Sequence, residues 1–178
     1  THTTESDGLK TPKEVIKLYK EAGYDFLALT DHWVISKTVE SEDLLLLSGC
    51  EYNSTTASVQ DGIFHIVGIG MEQEPELIDR NYCEPQKIID KITEAGGIAH
   101  LAHPAWSLNR PQDIIKLRGL YAAEIFNSVS DFPYNCRPYS GCVMDLVYSE
   151  GKNLPLIAAD DSHFYGGEQL RSFIMVKA

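Results

Sequence analysis

The chain has 178 residues, the size of one domain that can bury a hydrophobic core. Its 26 acidic residues against 15 lysines and arginines give a formal charge of −11, which argues against an extended nucleic-acid surface. Four cysteines without a Cys-x-x-Cys pair argue against a zinc finger and predict buried thiols in a reducing compartment. Neither a membrane-length apolar run nor a secretory leader is visible. We expect a cytoplasmic protein with one domain over residues 1–178 that does not contact membranes.

Two helix-to-strand units are predicted along the chain. Thr11-Pro12-Lys13-Glu14 combines a hydroxyl N-cap, a proline at the first helical position and a glutamate that can close a capping box. This helix should end near Gly23, and the apolar run at 25–30 predicts a strand that leads to Asp31-His32. A second helix from Pro85 precedes a strand that leads to His103.

Further strands are predicted at 44–47, 63–69, 122–126, 154–159 and 173–176. Apolar runs that alternate with helices favour an α/β fold with a mainly parallel sheet, either a barrel or an open doubly wound sheet. In both folds the active site lies at the carboxyl ends of the strands. Ligand-type residues follow such runs at His32, Glu51, His103 and Asp161, and we expect them to share one pocket.

The histidines indicate a metal site. All six lie in short segments that also carry carboxylates or an apolar run, and imidazole with carboxylate is the ligand set of borderline divalent metals. The strongest segment is Asp161-Ser162-His163, because alternate residues of an extended chain share a face. Asp160 would point the other way and cap a turn. Asp31 is better placed to orient a ligand than to bind metal itself.

Three histidines have competing interpretations. His100 and His103 are three positions apart and would lie on opposite faces of a regular strand, so we prefer His103 as the ligand and His100 as a packed or orienting residue. His65 is flanked by apolar residues, and a lone buried histidine usually belongs to the core. Its place among four other segments, which carry the remaining five histidines, nevertheless makes it a candidate ligand.

Six motifs occur in order: Thr1-His2-Thr3-Thr4 with Ser6-Asp7-Gly8, Ala28-Leu29-Thr30-Asp31-His32, Gly49-Cys50-Glu51-Tyr52, Phe64-His65-Ile66-Val67-Gly68, Ala102-His103-Pro104 and Ala159-Asp160-Asp161-Ser162-His163. Together they resemble the PHP (polymerase and histidinol phosphatase) family of metal-dependent phosphoesterases. The resemblance implies a distorted seven-stranded β/α barrel with two or three divalent ions (Zn, Mn or Fe) at the carboxyl ends of its strands. The family opens with His-x-His on a first strand, and only the second histidine is present here, so we expect that strand to be missing.

The resemblance also implies roles for individual residues. Glu51 and Asp161 would be shared ligands of the central metals. The remaining ligands would divide into His2 at one centre, His65 and His103 at another, and Asp7, His32 and His163 at a third. A hydroxide bridging the metals would be the nucleophile. Asp161 would orient it or take its proton, and His163 or His32 would assist the leaving oxygen.

The predicted reaction is hydrolysis of a small-molecule phosphomonoester or a nucleotide phosphodiester. Arg137, in the loop after the strand that carries Glu124, is the candidate phosphate-binding residue, with an ordinary surface arginine as the alternative. Trp33 and Trp106 follow ligand motifs and would either border the pocket or cover the core. Two other functions remain open, namely hydrolysis of a carbonyl-type bond and a non-catalytic, metal-stabilised module of a larger assembly.

Overall fold

The computed structural model describes residues 1–37, 43–54, 63–76 and 83–177. Within these ranges the helices are Pro12–Glu21 (α1), Pro85–Glu94 (α2), Pro111–Ile114 (α3) and Gly141–Ser149 (α4). The strands are Phe26–Ala28 (β1), Leu45–Leu47 (β2), Gly49–Asn53 (β3), His65–Ile69 (β4), Ile98–Leu101 (β5), Leu120–Asn127 (β6) and Leu156–Ala159 (β7). Helices and strands alternate from α2 onward, whereas β1 to β4 follow one another with no helix among the described residues between them. The mixture of helices and strands confirms the predicted α/β class.

The first helix begins as the sequence predicts. The backbone N–H of Glu14 donates to Thr11 Oγ1 at 3.4 Å, and the backbone N–H of Thr11 donates to the Glu14 carboxylate at 2.8 Å. This reciprocal pair satisfies two donors that the first turn of a helix leaves unpaired. At the other end, Gly23 adopts a left-handed conformation with a φ of 86°, which a residue with a side chain rarely adopts.

We expect Thr11→Ala to lower the free energy of unfolding by about 1 kcal/mol, because alanine cannot accept the bond from Glu14. For a chain of this size the midpoint of thermal unfolding should fall by about 2–4 °C, measured by circular dichroism. Thr11→Ser keeps the hydroxyl and should remain close to the parent protein. Equal midpoints for the two variants would show that the cap contributes nothing.

The strands form two sheets. β1 and β2 form a parallel pair, and the other five form a sheet in the order β3-β4-β5-β6-β7. β4 is antiparallel to both of its neighbours, whereas β5, β6 and β7 are parallel. The prediction of a mainly parallel sheet is therefore wrong for β4. Its reversal brings His65, the first residue of β4, opposite Asn53 and next to the carboxyl end of β5.

The implied closed barrel is not present in the described part of the chain. Residues 1 and 2 lie between the segment that follows β1 and the segment that follows β7, and they hydrogen-bond to both. Thr30 N–H donates to the Thr1 carbonyl at 2.8 Å, and His2 N–H donates to the Ser162 carbonyl at 2.9 Å. Beyond this connection, no described strand lies between β1 and β7. A cavity of about 440 Å³, lined by Ala28 and Ile157 among others, occupies that space.

The main core lies between the five-stranded sheet and α2. Ile88, Ile89 and Ile92 of α2 are fully buried and belong to the same cluster as Ile66 and Leu101 of the sheet. A smaller cluster packs the buried face of α1 against β1. No helix in the described ranges is long and apolar enough to cross a bilayer.

Two sequence expectations need correction. The segment 173–176, predicted as a strand, forms no strand, and its side chains are exposed, with Met175 at 86%. The cysteines were all expected to be buried thiols, whereas Cys50 and Cys83 are buried and Cys136 and Cys142 are exposed. Apolar composition alone predicted the strand, but a strand also requires a neighbour that accepts its backbone hydrogen bonds.

Candidate metal centre

The eight residues predicted as metal ligands lie close together at one edge of the five-stranded sheet. We call this set the ligand cluster; it consists of His2, Asp7, His32, Glu51, His65, His103, Asp161 and His163. Glu51, only 2% exposed, occupies its centre. Its Oε1 lies 2.6 Å from His65 Nδ1 and 3.3 Å from His103 Nε2, while its Oε2 lies 2.9 Å from His2 Nε2. The carboxylate therefore faces histidines from three separate segments.

Asp161 lies next to Glu51. Its Oδ1 is 3.0 Å from His2 Nε2, and its Oδ2 is 3.6 Å from His103 Nε2. Its φ of 52° is unusual for a residue other than glycine, although aspartate and asparagine adopt this region more readily than most. The backbone thus turns sharply after β7 and directs this carboxylate into the cluster.

Asp7 belongs to an outer part of the cluster. Its Oδ1 lies 3.5 Å from His2 Nδ1 and 3.6 Å from His163 Nε2, and its Oδ2 lies 3.9 Å from His32 Nε2. The Asp7 side chain is 56% exposed, whereas those of the other cluster residues are largely buried. The cluster is therefore open to solvent on the side of Asp7.

The ligand atoms fall into three overlapping groups in which all atoms lie within 4.8 Å of one another. The groups are His2 with Asp7, His32 and His163; His32 with Glu51 and His65; and His2 with Glu51 and Asp161. His103 contacts two of these residues, Glu51 and Asp161. The division differs from the one that the family resemblance implies, because His2 also lies beside Asp7 and His163.

The segment that carries His2 and Asp7 is held by Asp31. This buried carboxylate accepts hydrogen bonds from Thr3 N–H at 2.7 Å, Thr3 Oγ1 at 2.8 Å and Ser6 Oγ at 2.7 Å. Gly8 then passes so close to His2 that a Cβ there would lie 2.5 Å from the His2 carbonyl carbon. Asp31 thus orients the segment that carries two of the candidate ligands, as the sequence predicts.

The other predicted residues occupy different positions. Trp106 borders the cluster, with its ring centroid 5.7 Å from that of His65 and 5.0 Å from that of His103. Trp33 instead contacts Tyr52 at 5.2 Å on the side of the core. Arg137 is exposed and lines a depression that none of the eight cluster residues lines. Its role in phosphate binding stays a prediction.

Sequence reasoning did not identify Asn127 as a residue that contacts the cluster; its side chain is fully buried. Its Nδ2 donates to Asp161 Oδ2 at 3.1 Å and to Glu124 Oε2 at 2.9 Å. Residues 124 and 127 would lie on opposite faces of a regular strand, but a register shift between Glu124 and Phe126 changes the alternation. The position of Asn127 at the carboxyl end of an apolar run was the available signal.

His100 is not part of the cluster and interacts with Glu124 instead, its Nε2 lying 3.5 Å from Glu124 Oε1. Glu124 also accepts the backbone N–H of His103 at 3.0 Å through Oε2. This agrees with the expectation that His100 packs behind the site while His103 faces it.

The electrostatics of the cluster favour charged carboxylates. Burial opposes ionisation of Glu51, but hydrogen bonds from His103, His2 and His65 outweigh it and hold the pKa of Glu51 well below its usual value. The pKa of Asp161 is also lowered, because its contacts with His2 outweigh burial and the repulsion of Glu51. Two carboxylates are thus ionised side by side.

Imidazole pKa values in the cluster shift in opposite directions. Burial alone would lower the pKa of His2 and of His103, yet hydrogen bonds to carboxylates raise each pKa to about 9; the partners are Asp161 and Glu51 for His2, and Glu51 for His103. For His32, burial prevails and the pKa is lowered. Without bound cations, protons on His2 and His103 would balance part of the negative charge.

The donor set fits divalent metal ions. His32 Nδ1 is buried and has no hydrogen-bond partner among the described residues, which is costly for a polar atom unless a ligand satisfies it. His163 Nδ1 donates its hydrogen to the Asp161 carbonyl oxygen at 2.7 Å, which leaves Nε2 free to bind a cation. Mixed imidazole and carboxylate donors suit zinc, manganese or iron.

Comparison with known proteins supports this fold. No protein-family model matches the chain. An uncharacterized protein of Methanocaldococcus jannaschii is 28% identical over 99 residues, which cover 55% of this chain and 54% of that protein, so the match spans about half of the relative.

Two solved structures have a similar fold. An amidohydrolase from Chromobacterium violaceum, with bound sulfate and no metal, matches with a TM-score of 0.61 and 17% identity over 94% of this chain and 87% of that one. A protein named as a metal-dependent phosphoesterase, from Bifidobacterium adolescentis, matches with a TM-score of 0.59 and 14% identity over 97% and 88% of the two chains. The chain therefore shares the fold of these two hydrolases.

Proposed function

We propose that this chain is a PHP-type, metal-dependent phosphoesterase that hydrolyses a small phosphate ester. The observation that carries the proposal is the position of Glu51, whose two oxygens face histidines on different sides and which lies beside a second ionised carboxylate, Asp161. Such a carboxylate, together with the histidines around it, would hold divalent cations. Bound divalent ions would lower the pKa of a water molecule and place positive charge opposite the phosphate oxygens.

The charge of the cluster agrees with an anionic substrate. With neutral imidazoles, its three carboxylates, Asp7, Glu51 and Asp161, carry a charge of −3. Two divalent ions would change this charge to +1 and three would change it to +3. The exposed side at Asp7 gives a phosphate access to this positive charge.

Asp161 and His163 would take part in the reaction itself. Asp161 is ionised and lies within hydrogen-bonding distance of His2, so it is placed to orient an attacking water molecule and accept its proton. His163 lies on the solvent side beside Asp7, and its Nδ1 donates to the Asp161 carbonyl. Through Nε2 it would hold a cation there, which would place positive charge near the leaving oxygen. No serine or cysteine nucleophile is required in this scheme.

The Chromobacterium violaceum structure contains bound sulfate, a tetrahedral dianion like the phosphate group of a monoester. The same structure is that of an amidohydrolase, which favours hydrolysis of a carbonyl bond as the second candidate function. A metal-stabilised module without activity is the third.

The test is a substrate panel with protein reconstituted in turn with Zn²⁺, Mn²⁺ and Fe²⁺. We expect hydrolysis of p-nitrophenyl phosphate or bis(p-nitrophenyl) phosphate, and loss of that activity with a chelator. Hydrolysis of amides or lactones without phosphate esters would support the second candidate. Inactivity toward both classes with every metal would support the non-catalytic module.

We further propose that Arg137 contacts the substrate phosphate. Because its side chain is exposed, Arg137→Ala should raise KM for the active ester by only about three- to tenfold with little change in kcat. Arg118→Ala, which removes another exposed arginine, serves as the matched control. Identical KM values for the two variants would identify Arg137 as an ordinary surface residue.

A further inference from the structure

Glu168 is a buried carboxylate outside the ligand cluster, and it accepts hydrogen bonds from four consecutive backbone N–H groups. Its Oε1 accepts from His163 at 3.3 Å, Phe164 at 2.7 Å and Tyr165 at 2.5 Å, and its Oε2 accepts from Gly166 at 2.9 Å. The side chain is 1% exposed. Burial would raise its pKa, but these backbone bonds outweigh burial and lower it, so the carboxylate is charged. It is the centre around which the turn at 163–166 folds.

This turn requires such support because its backbone is strained. Tyr165 has a φ of 55°, a left-handed conformation that is strained for a residue other than glycine. The turn also holds both ends of the segment that carries His2 and Asp7. The Tyr165 hydroxyl donates to the His2 carbonyl, and Leu9 N–H donates to the His163 carbonyl at 2.8 Å.

The orientation of His163 depends on the same turn. Its ring stacks on that of His2 with centroids 4.0 Å apart, and its Nε2 faces Asp7 at 3.6 Å. A small rotation of the turn would move Nε2 away from the group formed by His2, Asp7, His32 and His163. In contrast, Glu51 and His65 lie on β3 and β4, where strand pairing fixes their positions without this turn.

We propose that Glu168 is a positioning residue that, through His163, sets the affinity of the His2, Asp7, His32 and His163 group for a divalent ion. The group formed by His32, Glu51 and His65 keeps its affinity when Glu168 is altered. This inference rests on the metal centre of the proposed function, and it concerns ion binding rather than turnover.

The test is a titration of the metal-free protein with Mn²⁺ alone, in which calorimetry measures each binding event. Glu168→Gln should weaken one binding event by about 10- to 100-fold, the usual effect of removing the support behind a metal ligand, and leave a second event unchanged. His163→Gln should weaken the same event. Glu94→Gln, at an exposed glutamate of α2 paired with Lys91, is the matched control and should bind as the parent protein does.

A double-mutant cycle separates positioning from general destabilisation. If Glu168 acts through His163, adding Glu168→Gln to His163→Gln should cause no further loss of affinity. Additive losses, equal weakening of both binding events or parent-like binding by Glu168→Gln would each overturn the proposal. Thermal unfolding checks that the variants fold. If Glu168→Gln does not fold, Glu168→Asp must weaken the same event, and parent-like binding by that variant would refute the proposal.

The experiment also distinguishes failure of the inference from failure of the proposed function. A parent protein that binds no Mn²⁺, Zn²⁺ or Fe²⁺ would contradict the metal centre itself. A parent protein that binds ions but hydrolyses no ester would contradict only the proposed function, and the effect of Glu168 on binding would still be measured.

Discussion

With its metal content unchanged at saturating metal concentration, the Asp161→Asn variant is expected to lose about 10³-fold in kcat on the ester that the parent protein hydrolyses. Asparagine has the shape of aspartate and tolerates the left-handed backbone with a φ of 52°, so the turn after β7 should persist. Its amide oxygen can still accept the hydrogen bond from Asn127, but it cannot take a proton from water. Steady-state kinetics and metal analysis by mass spectrometry measure the two quantities.

The matched control for this prediction is Asp145→Asn, which removes one exposed carboxylate from α4. It should retain the activity and metal content of the parent protein. Full activity in Asp161→Asn with an unchanged metal content would refute the assigned role. Loss of both activity and metal would show that Asp161 acts as a ligand without showing that it handles a proton.

We expect the stability of the metal-free protein to depend strongly on pH. The pKa values of His2 and His103 are raised to about 9, above the value of about 6.5 in an unfolded chain, so their stabilising effect is complete below pH 6.5 and is lost as the pH rises toward 9. The pKa values of Glu51 and Asp161 are lowered, so their contribution is present above about pH 4 and is lost in acid. We expect greatest stability between about pH 5 and 6.5.

Metal binding should oppose the loss of stability at alkaline pH. A divalent ion binds only the neutral imidazole, so binding at pH 7.5 should release protons from His2 and His103, two per protein. The affinity for Zn²⁺ should therefore rise between pH 6.5 and 9. Calorimetry in two buffers with different ionisation enthalpies measures the protons released, and thermal unfolding with and without chelator measures the stability.

Two histidine variants test which residues release the protons on metal binding. His103→Gln should reduce the number of protons released by about one, whereas His100→Gln, behind the site beside Glu124, should leave it unchanged. Ion binding by the parent protein without proton release, or stability of the metal-free protein that increases from pH 6.5 to 9, would contradict the raised pKa values.

Local patterns in the sequence were sufficient for much of the fold. The capping box at Thr11 and the left-handed Gly23 involve residues close in sequence, so the limits of α1 follow from the chain itself. Through their resemblance to the PHP family, the six motifs also predicted the eight residues of the ligand cluster as ligands, and this assignment stays a prediction. The approach of these eight residues to one another is a property of the fold.

The direction of β4 could not be read from its residues, since an apolar run has the same pattern in a parallel and an antiparallel pair. Only strand pairing shows that His65 reaches the cluster from the beginning of a strand, while Asp161 reaches it from beyond the end of one. The bulge in β6 that brings Asn127 beside Glu124 likewise depends on the neighbouring strand.

The support behind the ligands depends on tertiary structure for the same reason. Asp31 acts on Thr3 and Ser6, and Glu168 acts on backbone N–H groups, which every residue except proline possesses and which therefore leave no trace in the sequence. The kinds of donor atoms and their order along the chain were thus encoded locally. Which donors meet, and which carboxylates hold them, was decided by strand pairing and by hydrogen bonds between distant segments.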